Sequence, residues 1–433
     1  MSTAFDAVII GAGPAGTTAA IRLADAGWSV AIVEKRDFPR RKVCGECIAA
    51  SNLPLLDALG IGEEFDALAG PALERVGLFV GARRIVAPLP PMADARHRWG
   101  RALGREHLDT LLLARARALG VQVWQPWAVK ELVHDGDAHV CMISQAGAQS
   151  TLQLRAPLLI QAQGSWEPAP RDGDADVDDP RIPRRDSDLL AFKATWRDAR
   201  MEPGVLPVLA FPGGYGGMVL GDHGLTTLAF CIRRDVLQRA RAVHAGTSAA
   251  QAALAHVQAS CAGVGDALAG AALAGPWLAV GPLRPGIRRA WHGDGRFAVG
   301  NAAGEAHPIL GEGMSMAIQS AWLLCDRLIA QRTRPASPAG MRPSFTSPGQ
   351  DYARAWRLNF APRLRFAAVC AHLAMRPQAA TALLPLLQRW PGLLTRGARI
   401  AGKVRQAAVS SHGVPARPPG PRPDLPPAPG VHG

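Results

Sequence analysis

The chain is short of lysine, tyrosine and long apolar runs, and each shortage removes a class of protein. Of its 48 basic residues only five are lysines: Lys35, Lys42, Lys130, Lys193 and Lys403. The formal charge of +13 is therefore an arginine excess, scattered through a chain rich in Ala, Gly and Pro. With two tyrosines in 433 residues, no basic stretch interleaved with aromatics is present, and nucleic acid is not an expected partner. An anionic membrane surface or an acidic carrier protein stays compatible with the charge. A membrane span needs about 20 successive apolar residues, and the nearest stretch, Ala267 to Leu283, is broken by Gly and Pro. Seven scattered cysteines, an odd number, argue for a reducing compartment over a disulfide framework. The single Cys44-x-x-Cys47 pair has no second pair for zinc, so no metal is expected. Because a strand pattern begins at residue five with no basic lead, no signal peptide is expected and the cytoplasm is the default compartment.

What the chain does have is concentrated in its first thirty residues. Phe5 to Ile10 is a short apolar run, the form of a strand buried on both faces. Gly11-Ala12-Gly13-Pro14-Ala15-Gly16 follows at once, Thr17 to Ala26 continues as a small-residue helix, and Trp28 to Val33 reads as a second strand ending at Glu34. Gly11 suits the tight turn, Gly13 lets backbone approach a pyrophosphate, and Gly16 lets helix and strand pack closely. The helix N-terminus favours the anion through its free N–H groups and its dipole. A carboxylate at Glu34 can accept from a ribose 2′-hydroxyl. The glycine pattern alone is weak; set between two strands with an acid at this distance, it predicts dinucleotide binding.

Further along, Arg105 to Leu119 carries Leu108, Leu111, Leu112, Ala116 and Leu119 on one helical face. Strands are expected at 76–86, 121–144, 152–163, 189–197, 205–233 and 268–289, with helices over 51–68 and 235–261. Phe297 to Gly304 reads as strand into glycine turn before a helix from about Gly313 to Ala330. The expected organisation is α/β: a Rossmann-like, doubly wound nucleotide-binding domain in three segments (1–75, 101–170, 291–332). An inserted β-sheet substrate domain (76–100, 185–290) and a C-terminal helical extension (351–408) complete it. The stretch Glu167 to Arg185 reads as a crossing loop, 333–350 as a linker and 409–433 as a Pro-rich disordered tail.

These segments occur in the order found in FAD-dependent oxidoreductases of the p-hydroxybenzoate hydroxylase type, which the chain resembles over roughly residues 5 to 330. Lys42-Val43-Cys44-Gly45-Glu46 resembles the K-x-C-G-[DE] segment of the geranylgeranyl reductase subgroup. Gly214-Tyr215-Gly216 resembles its G-Y-G-W motif, with Gly217 in place of the tryptophan. The resemblance implies FAD contacts from Gly11, Gly13, Ala15, Gly16, Glu34 and Lys35, from Cys44 and Gly45, and from Arg105 toward the diphosphate. It adds the backbone of Val129 near the adenine, and Gly164, Gly300 and Asn301, where Asn301 replaces the usual Asp and Gln163 departs from the usual A-D-G. Pro308, Gly311, Gly313 and Met314 resemble the loop beneath the flavin ring, whose N–H groups favour the charge that reduction places there. Cys44 and His307 are the expected catalytic side chains, with Glu46 and Glu312 as further acids and Tyr215 in the substrate cavity. NAD(P)H is implied as a transient electron donor. The implied activity is oxygenation, reduction or dehydrogenation of a hydrophobic secondary-metabolite or lipid-like molecule. A membrane-associated electron-transfer flavoprotein linked to quinone is the alternative, and the basic amphipathic helices past residue 350 are compatible with it.

Overall fold

The computed structural model describes residues 2–147, 150–164, 184–293, 295–332 and 344–406. Most of the expected crossing loop at 167–185, most of the expected linker and the Pro-rich tail lie outside the described residues. In chain order the framework begins with β1 (Ala7–Ile10), α1 (Pro14–Asp25) and β2 (Val30–Val33). It continues with β3 (Arg75–Val80), β4 (Arg83–Pro88), α2 (Arg105–Ala118), β5 (Gln122–Trp124) and β6 (Leu158–Gln161). Then come β7 (Leu189–Arg197), β8 (Val205–Phe211), β9 (Gly214–Leu220), β10 (Thr226–Arg233) and β11 (Arg296–Ala298). Four helices close the list: α3 (Gly313–Arg332), α4 (Thr346–Ala374), α5 (Pro377–Arg389) and α6 (Gly392–Ala401).

The architecture is α/β, and its centre is a parallel five-stranded sheet in the order β11-β6-β1-β2-β5. Every side chain of β1 is buried because both faces of that sheet are covered. Successive residues point to opposite sides. Ala7 and Ile9 enter a core shared with Ala19 and Leu23 of α1, Leu112 and Ala116 of α2, and Ile318 and Leu324 of α3. Val8 and Ile10 enter a second core with Leu132, Cys141, Ile143 and Leu154. Those residues belong to a four-stranded sheet of Ser2–Ala4, Leu152–Ala156, His139–Ser144 and Ala128–His134, which covers this face. Pro157 accounts for the division of the expected strand 152–163 between the two sheets, because it lacks the N–H a ladder requires.

The inserted domain is an eight-stranded sheet whose main path runs β7-β10-β9-β8-β3-β4. One face packs Phe192, Leu209, Phe211 and Phe230 against helices at Arg234–Val243 and Ala249–Ser260. The sequence reads those helices as one; Gly246 (φ 84) breaks it, and a capping box between Ser248 and Gln251 starts the second. Its other face, with Ala191, Ala210, Tyr215 and Cys231, packs on Ala371 and Ala374 of α4. The C-terminal helices are therefore part of the structure around the sheet. Arg363 of α4, 2% exposed, fixes them by donating to Gln319 Oε1 (3.1 Å) and to the Arg405 carbonyl (3.0 Å).

Candidate active site

A cavity of ≈ 490 Å³ runs between the nucleotide-binding domain, the inserted sheet and α4–α6. Its first end is made of backbone. Gly11 has φ +102°, and a Cβ there would come within 2.6 Å of the Ala162 carbonyl oxygen. A Cβ on Gly16 would lie 1.9 Å from the Gly11 carbonyl oxygen, so helix and turn are in direct contact. Gly13, the N-cap of α1, faces the cavity, and the atom nearest a Cβ there is the Arg105 guanidinium at 3.7 Å. Pro14 at the first helical position fixes the helix start, where no intrahelical N–H is needed.

Around Gly13 the cavity is cationic. Arg105 is buried and held by two 2.7 Å hydrogen bonds to Asp109. Lys42 is half-buried beside it, within 3.6 Å of a would-be Cβ on Gly164. Burial, with Arg105 and then Arg40 repelling its charge, lowers the Lys42 ammonium to about 8. Two cations and a helix N-terminus converge on glycine backbone, the donor chemistry that suits a diphosphate. The residues present therefore fit FAD at this end.

Ala15, Cys44, Gly45, Gly164, Gly300, Asn301, Pro308, Gly311, Gly313 and Met314 also line the cavity. The 308–313 loop is a short 3₁₀ turn closed by Gly311 in the left-handed region (φ 62°), and it delivers the N-terminus of α3 to the cavity wall. Gly300 (φ 59°) donates its N–H to Ser320 Oγ at 2.8 Å, which ties the preceding strand to α3. Not every expected contact is at the wall. Glu34 is buried behind the glycine turn, accepting from Ala12 N and Arg36 N, both at 2.9 Å, so its carboxylate holds the turn and the following loop. Lys35 is exposed beyond the strand end, and Val129 pairs with Ile143 in the outer sheet; neither lines the cavity.

The expected acids sort differently. Glu46 has left-handed backbone (φ 57°), and its carboxylate meets Lys193, Thr227 Oγ1 (2.6 Å) and the Arg105 N–H (3.1 Å). Glu312 pairs with Lys403 at 3.0 Å, and Lys403 comes from just past α6. Both carboxylates are engaged in joining segments, so neither is a free acid. Cys44 lines the cavity, and its Sγ accepts from Glu46 N at 3.4 Å. His307 stands one layer back: its Nδ1 is 2.9 Å from the hydroxyl of Tyr215, a cavity-wall residue. Burial, with His372 adding to it, lowers His307 to about 4, so the imidazole is neutral near pH 7. Burial also pushes the Tyr215 phenol well above its usual value. His372, exposed on α4, lies 5.8 Å ring to ring from His307.

The second end of the cavity was missed by sequence reasoning. It is roofed by Phe366, Leu373, Leu383, Leu387, Leu393 and Leu394 of α4–α6. Their helical periodicity was visible, but a periodicity names an apolar face and not what that face covers.

The fold and this site define an FAD-dependent flavoprotein, and comparison with known proteins agrees. Over residues 4–342 the chain matches the FAD binding domain family and belongs to it, within the superfamily of flavoproteins that resemble p-hydroxybenzoate hydroxylase. Among curated relatives, a tryptophan 2-halogenase of Chondromyces crocatus is 32% identical over 36% of this chain but only 30% of its own length. The 6-methylpretetramide 4-monooxygenase of Streptomyces rimosus is 27% identical over 78% of this chain and 80% of the relative. The solved flavin-dependent brominase Bmp2 superposes with a TM-score of 0.71 at 18% identity, covering 93% of this chain and 94% of that one. At that identity the likeness is one of fold.

Proposed function

We propose that the protein is an NAD(P)H-driven, FAD-dependent oxygenating enzyme acting on an elongated apolar small molecule. The observation that carries this is the single continuous cavity, cationic and glycine-lined around Gly13 and apolar beneath α5 and α6. FAD, when bound, supplies the two-electron redox chemistry. The chain's own residues bind, orient and move a proton. Arg105 and Lys42 hold the diphosphate; the 308–313 loop and the start of α3 present N–H groups to the ring; the leucines of the roof exclude water and hold the substrate. Tyr215 sits at the wall with a hydrogen bond to neutral His307. It can pass a proton from a substrate hydroxyl to His307 Nδ1 and take it back, and His372 gives that pair an exposed neighbour. In the net reaction one oxygen atom of O₂ enters the substrate and the other leaves as water, with NAD(P)H and a proton consumed.

The test is an anaerobic titration of the flavin-loaded protein with NADH and NADPH, followed by air. Bleaching of the flavin band and its return with oxygen uptake is the expected result. Bleaching that air does not reverse would overturn oxygenation in favour of a reductase or dehydrogenase.

A second reading, a quinone-linked electron-transfer flavoprotein at a membrane surface, is favoured by one observation. From Tyr352 to Gln406 the sequence holds ten basic residues and no acid. Over the same stretch Leu358 (64%), Val369 (57%), Trp390 (56%) and Ile400 (57%) are exposed. Leu358, Arg365, Val369 and Leu373 fall within one narrow stripe of α4 at 100° per residue. That face suits anionic lipid, although no described helix is long and apolar enough to cross a membrane. Co-flotation with phosphatidylglycerol vesicles, lost on Trp390→Glu, together with absent oxygen uptake would select this reading.

A further inference from the structure

The two domains meet again outside the cavity, at the start of α2. His107 lies in the first turn of that helix, and Asp222 and His223 lie in the turn between β9 and β10, more than a hundred residues away in sequence. Asp222 is buried, and its carboxylate is already aimed: Oδ1 accepts the Gly104 N–H at 2.8 Å, while Oδ2 stands 3.3 Å from His107 Nε2. His223 adopts left-handed backbone (φ 53°, ψ 24°), a conformation uncommon outside glycine, and its ring comes to 5.6 Å from that of His107. One ligand atom from each of the three lies within 4.8 Å of the other two.

From this juxtaposition we infer a divalent transition-metal site of two imidazoles and one carboxylate, bridging the cofactor domain and the inserted domain. Two imidazoles select zinc, copper, nickel or cobalt over magnesium and calcium, which prefer oxygen donors. Tetrahedral zinc with bonds of about 2.0–2.1 Å separates its donors by about 3.3 Å, so small rotamer shifts of the exposed His223 complete the set. Asp222 supplies the negative charge of the set, since Glu46 is paired with Lys193 and Glu106 with Arg41. The Gly104–Asp222 hydrogen bond fixes a ligating carboxylate as outer-shell partners commonly do. With three protein ligands and a solvent-facing side, the fourth position is open to water. The metal would fasten the segment that carries Arg105 to the inserted sheet, which makes it a clamp on the relative placement of the two walls of the cavity. This assignment is independent of the reaction proposed above.

Zn²⁺ titrated calorimetrically into EDTA-treated, flavin-loaded protein tests the site, with thermal unfolding as a second readout. One equivalent should bind and raise the unfolding midpoint, and millimolar Mg²⁺ should not compete. His223→Gly keeps a residue that tolerates the left-handed backbone while removing the ligand, and His107→Gln removes the other imidazole. Both should retain flavin and weaken Zn²⁺ by at least about 10-fold. Zinc binding of equal strength in the wild type and the two variants would place it elsewhere and overturn the assignment. So would a wild type that shows neither heat of binding nor a shifted midpoint.

Discussion

The two ends of the cavity are built on different principles. Around Gly13 the work is done by backbone: positive φ at Gly11, a contact at Gly16 that leaves no room for a Cβ, and a helix N-terminus beside two cations. Beneath α5 and α6 it is done by side-chain volume, with leucines on helices whose outer faces are solvated; Leu384 is the one buried residue of α5. A backbone cradle tolerates no added atom, whereas a leucine roof gives way by degrees. Substitutions should therefore be all-or-none at one end and graded at the other.

The largest effect falls on two neighbouring glycines, and it separates folding from binding. Gly16→Val places its side chain where even a Cβ lies 1.9 Å from a backbone oxygen, so little folded protein is expected. Gly13→Val meets only the Arg105 guanidinium, at 3.7 Å, and its φ of −72° suits valine. It should fold, judged by circular dichroism, yet purify colourless because its side chain occupies the diphosphate's approach. A folded Gly13→Val protein with a full flavin spectrum would sink the role assigned to that end.

Next in size is the ion pair behind the cradle. Asp109 is fully buried and is the bidentate partner of Arg105. Asp109→Ala leaves a buried guanidinium uncompensated, an expected loss of about 3–5 kcal/mol in denaturant unfolding. Added FAD should recover part of it, because a diphosphate offers Arg105 a new anion. No recovery with FAD would mean that Arg105 does not face the cofactor.

The contrast between the ends also explains what could be read from the sequence. Gly11, Gly13 and Gly16 were legible because positive φ and close approach leave few residue choices, and the choices stay adjacent in the chain. The loop at Pro308–Met314 was placed by its resemblance to the family's flavin loop, and Gly311 there takes left-handed backbone (φ 62°). Glu34 was placed correctly at its strand end, but its engagement with Ala12 N is set by a turn that sequence spacing does not resolve. Glu46 and Glu312 read as candidate acids because their partners, Lys193 and Lys403, are remote in sequence and reach them only through the fold. The His107–Asp222–His223 cluster was invisible on the same ground: its ligands have no short spacing, since two domains contribute them. Apolar residues on α4–α6 announced burial, and only the packing of Ala371 and Ala374 against Tyr215 and Ala210 said where.

A smaller effect separates the polar pair from both ends. His307 is held near 4, below its unfolded value of about 6.5. Between those values the unfolded chain binds a proton that the native chain refuses, so stability rises with pH across this window and falls as the solution is acidified. His307→Asn removes the titration. Going from pH 7 to pH 5, the wild type should lose about 1–2 kcal/mol more than the variant. Parallel curves would mean that His307 takes up its proton alike in the folded and unfolded chain, so that burial does not lower its pKa.

The smallest effect is expected at the roof, where it discriminates best. Leu387 is half-buried and lines the cavity from α5. Leu387→Ala removes apolar contact from a helix that already carries little of the core, so the unfolding midpoint should barely move. A long apolar ligand, followed with a fluorescent alkyl probe, should bind about 10-fold more weakly, the equivalent of about 1.4 kcal/mol of lost contact. The flavin spectrum and the FAD dissociation constant should be unchanged, since no backbone N–H or cation is altered. If FAD affinity fell instead, the roof would be acting on the cofactor end. The route would be the Lys403–Glu312 pair, which joins the segment after α6 to the loop at 308–313.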